Sequence, residues 1–147
     1  MSETTRYWIG VASKDHVMRG VEGGFCQLGH GKKTALTRRK PGDWITYYSP
    51  RTQFEGGETV QAFTALGQIE PGEVYIGDMG PNFKPYRRDV QFLEISDAPI
   101  RPMLEDLSFI TDFKRWGYPF QRGHLEMTRT DFELIATTMG FDPATLL

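Results

Sequence analysis

Cys26 and the three histidines, His16, His30 and His124, are the side chains best suited to act as nucleophile, base or metal ligand. A nucleophilic cysteine needs a histidine as its base, and His16 and His30 flank Cys26 in the sequence. A metal site needs convergent ligands at a recognisable spacing, whereas these four residues are isolated along the chain. Alternation with Phe25 also fits Cys26 as a small core residue. We therefore predict no catalytic residue, no metal site and no cofactor.

Basic side chains form the second candidate feature. Five of the nine residues from 32 to 40 are basic: Lys32, Lys33, Arg38, Arg39 and Lys40. Residues 1–51 contain nine basic and four acidic residues, whereas residues 52–147 contain eight and fifteen. Such a cluster can neutralise phosphates and release their counterions. Arg87 and Arg88 add a second basic element, but alternation along a strand lets only one of them join a shared surface.

Aromatic side chains accompany the basic ones. Trp44, Tyr47 and Tyr48 lie on a predicted strand, where alternation puts Trp44 and Tyr48 on one face and Tyr47 on the other. We expect one face to be core and the other to be exposed or to line a pocket. The aromatic residues predicted in or beside loops include Phe25, Phe83 and Tyr86. Because glycine, proline and arginine flank them, they are suited to stacking on a flat base.

Strands and short helices must position these residues. Strands are predicted at 6–12, 43–49, 59–69, 73–78 and 86–95, where β-branched and aromatic residues concentrate. A helix of about two turns is predicted after Ser13 as its N-cap, ending near Gly20. Residues 22–42 are predicted to be loop with one short strand, and Gly67 is a candidate bulge.

The C-terminal third changes character. A helix is predicted within 98–110, with Pro102 near its first turn. The clearest helix spans 130–140, where Thr130 and Glu133 form a predicted capping box and Gly140 supplies the stop. Trp8 and Trp116 are expected to be structural. About six strands with helices after the first strand and at the end predict an α+β fold with a highly curved, mostly antiparallel sheet or small barrel.

Length and composition indicate one globular domain covering residues 1–147, with 39% hydrophobic residues. No apolar stretch is long enough to span a membrane, and the N-terminus lacks the pattern of a signal peptide. The single cysteine cannot form an internal disulfide. We therefore expect a cytoplasmic protein with no membrane partner, with the nucleus as the alternative reducing compartment.

Seven segments in order resemble one known family. They are "YWIGVASKDHV", "GFCQLGHGKK", "PGDWITYYSPR", "VQAFTALGQI", "PYRRDVQF", "PIRPMLEDLSFI" and "WGYPFQRGHLEM…DFELIA". Together, over residues 6–139, they resemble the EVE domain family, a branch of the PUA-like superfamily related to YTH and ASCH domains. The resemblance implies a PUA-like curved, mostly antiparallel β-barrel with flanking helices and a pocket at one end.

The resemblance also implies where that pocket lies. By similarity to YTH domains, its candidate residues are Ser13, Lys14 and His16 after the first strand, then Phe25, Cys26 and Gln27, then Tyr47, Tyr48 and Ser49 as the floor, and Phe83, Tyr86 and Arg87 from the far loop. The chain departs from YTH domains because the first cage aromatic is Phe25 rather than tryptophan. No tryptophan stands near residues 75–88 either.

The function implied is a nucleic-acid-binding module that accommodates a modified base, such as a methylated cytosine or adenine, in an aromatic-lined pocket. Candidate backbone contacts are Lys32, Lys33, Arg38, Arg39, Lys40 and Arg88. One alternative is a small nucleoside-processing enzyme resembling ASCH amidohydrolases, with Lys14, Tyr48 and His16 as acid or base and Ser13 orienting them. Another is a domain that binds a small metabolite.

Overall fold

The computed structural model describes residues 5–27, 33–53, 55–81 and 83–143. Within these ranges the strands are β1 Tyr7–Val11, β2 Phe25–Cys26, β3 Trp44–Arg51, β4 Thr59–Ile69, β5 Tyr75–Ile76, β6 Tyr86–Phe92, β7 Ala98–Pro99 and β8 His124–Met127. The helices are α1 Lys14–Gly23, α2 Lys33–Thr37 and α3 Arg129–Thr138, with 3₁₀ helices at Arg101–Met103, Phe113–Arg115 and Tyr118–Arg122.

The strands form one curled sheet in the order β2-β6-β4-β3-β1-β8, with β5 paired to β6 and β7 to β4. Strands β1 and β3 run parallel, and the other pairs are antiparallel. The sheet makes a half-barrel with helices packed around it. The predicted α+β fold with a curved, mostly antiparallel sheet and flanking helices is therefore confirmed. The predicted PUA-like β-barrel is a half-barrel here, and the β1–β3 pair makes the sheet mixed.

Each face of the sheet carries a hydrophobic core. Trp44 and Tyr48 pack on one face with the C-terminal segments and α3. Tyr47 packs on the other face with Trp8 and the residues of α1 and α2. The predicted separation of Tyr47 from Tyr48 is confirmed. One face of this strand is expected to be exposed or to line a pocket. Both faces of β3 are buried because the strand is central in the sheet. Of its three aromatic residues, Tyr47 lies beside a pocket next to α1.

Helix α1 sets the position of β2 and begins after Ser13, as predicted. It runs past Gly20 to Gly23 and ends where Gly24 adopts a left-handed conformation, with φ of 72°. The chain passes Gly20 closely, because a Cβ there would lie 2.7 Å from the Phe25 carbonyl oxygen. Gly20 therefore marks a close helix–strand contact rather than the helix end.

Two other local predictions are wrong. Residues 33–37 form α2 rather than loop. Gly67 is not a bulge, because it pairs in register with Ile45 and Phe92, and the irregularities of β3 fall after Tyr47 and after Ser49. A Cβ on Gly67 would lie 2.5 Å from Val90 Cγ1, so close strand packing explains the glycine.

The C-terminal helices also differ from prediction. Around Pro102 only a 3₁₀ helix forms. The N-cap of α3 is Thr128, two residues before the predicted Thr130, and its hydroxyl accepts a hydrogen bond from the Asp131 amide at 3.2 Å. Glu133 does not cap the helix; it pairs with Arg129 at 2.8 Å. The predicted stop at Gly140 is confirmed by its positive φ of 95°.

Candidate functional site

A cavity of about 80 Å³ lies where α1, β2, β3 and the loop after β5 meet. Helix α1 lines it with one face, formed by His16, Val17, Arg19 and Gly20. The remaining lining residues come from the other elements, namely Ala12, Phe25, Gln27, Tyr47, Met79 and Arg87. The walls are mainly apolar and aromatic, with an amide and cations at the edges. Ligand sites in proteins have this composition.

Phe25 and Arg87 form a stack at this cavity. Phe25 pairs with Asp89 across β2 and β6, so Arg87 is its diagonal neighbour on the same face. The guanidinium carbon lies 3.9 Å from the centroid of the Phe25 ring, a cation–π contact between two planar groups.

Two glycines enclose this stack. A Cβ on Gly77 would lie 2.3 Å from Arg87 Nε, and one on Gly23 would lie 2.4 Å from Phe25 Cε2. No larger residue fits at either position without movement of the stacked groups. The backbone at Gly23 and Gly77 therefore allows Phe25 and Arg87 to stack as they do.

Gln27 ties the stack to the sheet. Arg87 Nε donates to Gln27 Oε1 at 2.6 Å, and Gln27 Nε2 contacts Met79 Sδ at 3.6 Å. The Tyr47 hydroxyl donates a hydrogen bond to the backbone carbonyl of Gln27 at 2.8 Å and accepts one from the backbone N–H of Gln27 at 3.2 Å. Burial raises the pKa of the Tyr47 phenol well above its usual range, so this hydroxyl stays neutral.

The charges around the cavity are positive. Arg19 and Arg87 line it, and among the described residues no carboxylate does. Asp15, one turn away on α1, is turned towards Ser13, whose hydroxyl donates to it at 2.5 Å. That hydrogen bond is the main reason why the pKa of Asp15 is lowered. The site can therefore accept a neutral or anionic group but offers no acidic partner to a cation.

Comparison with known proteins identifies the family. A model of the EVE domain matches residues 6–138. The chain belongs to the EVE domain family. A UPF0310 protein of Mycolicibacterium vanbaalenii is 48% identical over 132 residues, covering 90% of this chain and 91% of that protein. The UPF0310 protein YdcG of Bacillus subtilis is 43% identical over 136 residues, covering 92% and 93%.

Solved structures support the fold. The YTH domain of Zygosaccharomyces rouxii MRB1, solved in complex with N6-methyladenosine RNA, superposes with a TM-score of 0.61 at 11% identity, covering 96% of this chain and 88% of that one. Protein Atu2648 of Agrobacterium tumefaciens gives a TM-score of 0.55 at 11% identity, covering 95% and 96%. At these identities the likeness shows that the EVE domain shares the YTH architecture.

The EVE domain brings together five of the twelve residues predicted to bind a ligand. His16, Phe25, Gln27, Tyr47 and Arg87 line the cavity. Two cavity residues that the sequence did not indicate, Arg19 and Gly20, lie three and four residues after His16 and so share its helix face. Val17 follows in turn, because it lies three residues before Gly20. Ala12 and Met79 carry no comparable signal.

Two residues predicted for the pocket floor do not line the cavity. Tyr48 stacks on Phe120 with ring centroids 4.1 Å apart, in the core on the far face. Ser49 is buried and its hydroxyl contacts Thr64 Oγ1 at 2.7 Å. The strand period of two explains Tyr48, because only every second residue of β3 shares the face of Tyr47. Ser49 has the parity of Tyr47, but β3 is irregular on both sides of it, after Tyr47 and after Ser49.

The predicted residues around α1 and β2 also diverge. The Lys14 ammonium pairs with Asp97 at 2.5 Å, and Ser13 is engaged with Asp15. Cys26 points into the core, where burial raises the pKa of its thiol to about 12. The thiol is therefore inert at neutral pH, which agrees with its assignment as a core residue.

The predicted far-loop aromatics lie outside the cavity. Phe83 is 41% exposed, and Tyr86 packs at the edge of the core beneath the Lys33 ammonium, 5.9 Å from its ring centroid. The acid–base set proposed for an enzyme is also dispersed, because Lys14 and Tyr48 point away from His16. Among the described residues no group of three His, Cys, Asp or Glu side chains could hold a metal ion, and no helix there could cross a membrane.

The predicted backbone-binding cluster is divided. Lys33, Arg38 and Lys40 are exposed, and Lys32, like His30, lies outside the described residues. Arg39 is fully buried, with its guanidinium 4.0 Å from the centroid of the Trp8 ring. Arg88 is buried too and donates to the Gly72 carbonyl at 2.8 Å. The prediction that Arg39 and Arg88 present their charges to phosphate is wrong, because both side chains face the core.

Proposed function

We propose that this EVE domain binds a nucleic acid and takes one unstacked, methylated base into the cavity beside Phe25. The observation that carries the proposal is the stack of Phe25 with the planar guanidinium of Arg87 at the mouth of an apolar cavity. A flat cation already occupies the position in which a flat base would stack. Membership of the EVE family and the shared architecture with a YTH domain solved with N6-methyladenosine RNA support it.

Entry of a base requires Arg87 to move. Its guanidinium carbon lies 3.9 Å from the centroid of the Phe25 ring and covers the face on which a base would stack. Arg87 is the cavity residue that can leave at the lowest cost, because its side chain is long and its head group prefers water. In this proposal the base replaces the guanidinium on Phe25, and Arg87 swings outward to contact a phosphate.

The lining then divides recognition between a polar edge and an apolar wall. The side-chain amide of Gln27, once released from Arg87, offers one donor and one acceptor to the edge of the base. A methyl group would lie against Ala12, Val17 and Met79. Burial of one methyl group contributes about 0.8 kcal/mol, which corresponds to roughly fourfold tighter binding than the unmodified base. Stacking on Phe25 contributes about 1–3 kcal/mol irrespective of methylation.

The test compares matched oligonucleotides that contain cytosine, 5-methylcytosine, adenine or N6-methyladenine at one position. Fluorescence anisotropy at two salt concentrations measures their affinities. We expect the wild type to prefer one methylated oligonucleotide and Phe25→Ala to weaken its binding about tenfold, the lower part of the stacking range. Phe83→Ala is the matched control, because it removes an exposed phenyl ring that does not line the cavity. Undetectable binding to all four oligonucleotides at low salt refutes the proposal.

A second substitution tests the displacement of Arg87 without removing its charge. In Gly77→Ala the new Cβ would occupy the space of Arg87 Nε, so the guanidinium must leave Phe25 before any ligand arrives. We expect unchanged or tighter binding of the preferred base. If Gly77→Ala abolishes binding in a folded protein, the base does not take the place of Arg87. If a free methylated nucleoside binds as tightly as the oligonucleotide, the site belongs to a metabolite-binding domain.

A further inference from the structure

A second concave surface, a cleft of about 790 Å³, lies between β8 and the 3₁₀ helix Tyr118–Arg122. Two of its arginines, Arg38 and Arg122, are exposed and have no carboxylate partner among the described residues. Its third arginine, Arg6, is neutralised by Glu126 through contacts of 2.8 and 2.6 Å. The lining therefore carries an excess of positive charge, which favours an anion.

His124 adds a neutral hydrogen-bond donor to this cleft. An Arg39 guanidinium nitrogen lies 2.9 Å from His124 Nδ1. Because a guanidinium can only donate, Nδ1 must accept, and the ring proton is on Nε2. Burial first, and then the charges of Arg39 and Arg38, lower the pKa of His124 and keep the ring neutral. The Nε2–H has no partner in the part of the chain that the structure describes.

Arg39 also supports the cleft from below. Its Nε has no hydrogen-bond partner within the described ranges. Burial lowers the pKa of its guanidinium to about 10, so that the group remains charged at neutral pH. A cation buried beneath the cleft, with no carboxylate bonded to it, raises the potential at the surface above. Tyr118, which lines the cleft, exposes 68% of its surface to solvent. Exposed aromatic residues next to arginines are typical of single-strand binding grooves.

One row of paired residues across the sheet connects the cavity with the cleft. Gly10 of β1 pairs with Tyr47 on one side and His124 on the other. With strands about 4.8 Å apart, Tyr47 of the cavity and His124 of the cleft are therefore separated by about 10 Å. At the ~3.4 Å rise per nucleotide of a duplex strand this is about three nucleotides. One strand can therefore reach both places.

We propose that this cleft holds the phosphodiester backbone of the strand whose base enters the cavity, with Arg38 and Arg122 on the phosphates, His124 as donor and Tyr118 against a neighbouring base. This inference rests on the proposed function, because it assigns the flanking contacts of the same nucleic acid. It differs from the sequence-based cluster, since Arg122, His124 and Tyr118 come from the C-terminal third of the chain.

The test is the double variant Arg38→Ala/Arg122→Ala. Its matched control is Arg51→Ala/Arg101→Ala, which removes the same charge from exposed arginines that do not line the cleft. Binding is measured by anisotropy with 5-methylcytosine and N6-methyladenine oligonucleotides of about two nucleotides, too short to span cavity and cleft, and of about twelve, and with polyglutamate as a competitor. Both substituted arginines are exposed, so circular dichroism should show an unchanged fold.

We expect the long oligonucleotide to bind the double variant with a salt slope about 1.5 smaller than for the wild type, because about 0.7–0.9 is lost per phosphate contact. The short oligonucleotide and the control should be unaffected. A wild-type slope in the double variant overturns this inference while leaving base binding intact. Polyglutamate competing as well as the oligonucleotide also overturns it, because the occupant is then not a nucleic-acid strand. If the wild type binds no oligonucleotide, the proposed function fails and this inference fails with it.

Discussion

The Tyr47 hydroxyl holds the chain at Gln27, and its removal gives a test of how the cavity is supported. The hydroxyl donates to the Gln27 carbonyl at 2.8 Å and accepts the Gln27 amide at 3.2 Å. Tyr47→Phe deletes one oxygen and leaves two backbone groups without this partner. Each net hydrogen bond contributes about 0.5–1.5 kcal/mol, so the free energy of unfolding should fall by about 1–3 kcal/mol.

Denaturant titration measures this change, because the shift in midpoint at constant slope reports stability alone. Tyr7→Phe is the matched control, since Tyr7 packs in the other core and its hydroxyl makes no hydrogen bond within the described residues. We expect that control to change stability by less than about 0.5 kcal/mol. Equal stabilities for the two variants would refute the claim that Tyr47 anchors Gln27. A loss of stability with no loss of ligand affinity would show that Gln27 does not need this anchor for binding.

Two further predictions concern the fold. Thr128→Ala should lower the free energy of unfolding by about 1 kcal/mol, because Thr128 is the observed N-cap of α3. Thr130→Ala should leave the free energy of unfolding unchanged. A larger effect for Thr130→Ala than for Thr128→Ala in urea titration would contradict this assignment. Burial raises the pKa of the Cys26 thiol from 9.0 to about 12, so the protonated thiol stabilises the fold below pH 9 and this contribution is lost as the pH rises towards 12. Cys26→Ala should therefore flatten the decline in unfolding free energy over that range, and an identical decline in both proteins would contradict it.

The strands could be predicted because their pattern is local. In β6, Tyr86, Val90 and Phe92 follow a period of two, and β4 is rich in β-branched and aromatic residues. The structure gives β4 its predicted bounds and ends β6 three residues earlier than predicted. Glycine was less informative, because a glycine permits several structures. Gly20 and Gly67 both suggested a break in an element, and both instead allow another chain segment to pass closely. That contact is tertiary, and no window of sequence contains it.

The cavity could be predicted only in part, for a related reason. The resemblance named the segments that meet, including residues 13–16, 25–27 and 47–49, but not which side chain of each segment faces inward. On β3 the choice of Tyr47 over Tyr48 depends on which face α1 covers. Met79 belongs to a loop whose path is set by the β5–β6 pairing. Such facts follow from long-range packing rather than from residue type.

Arg38, Arg39, Arg87 and Arg88 show most clearly why charge counts alone do not locate a binding surface. In each adjacent pair one guanidinium reaches a concave surface, at Arg38 and Arg87, and the other is buried, at Arg39 and Arg88. Both buried arginines keep an Nε without a hydrogen-bond partner among the described residues. Burying a charge without full pairing costs free energy that a hydrophobic residue would not. At Arg39 the guanidinium fixes the tautomer of His124 at the cleft, and under the proposed role of the cleft this contact would offset that cost.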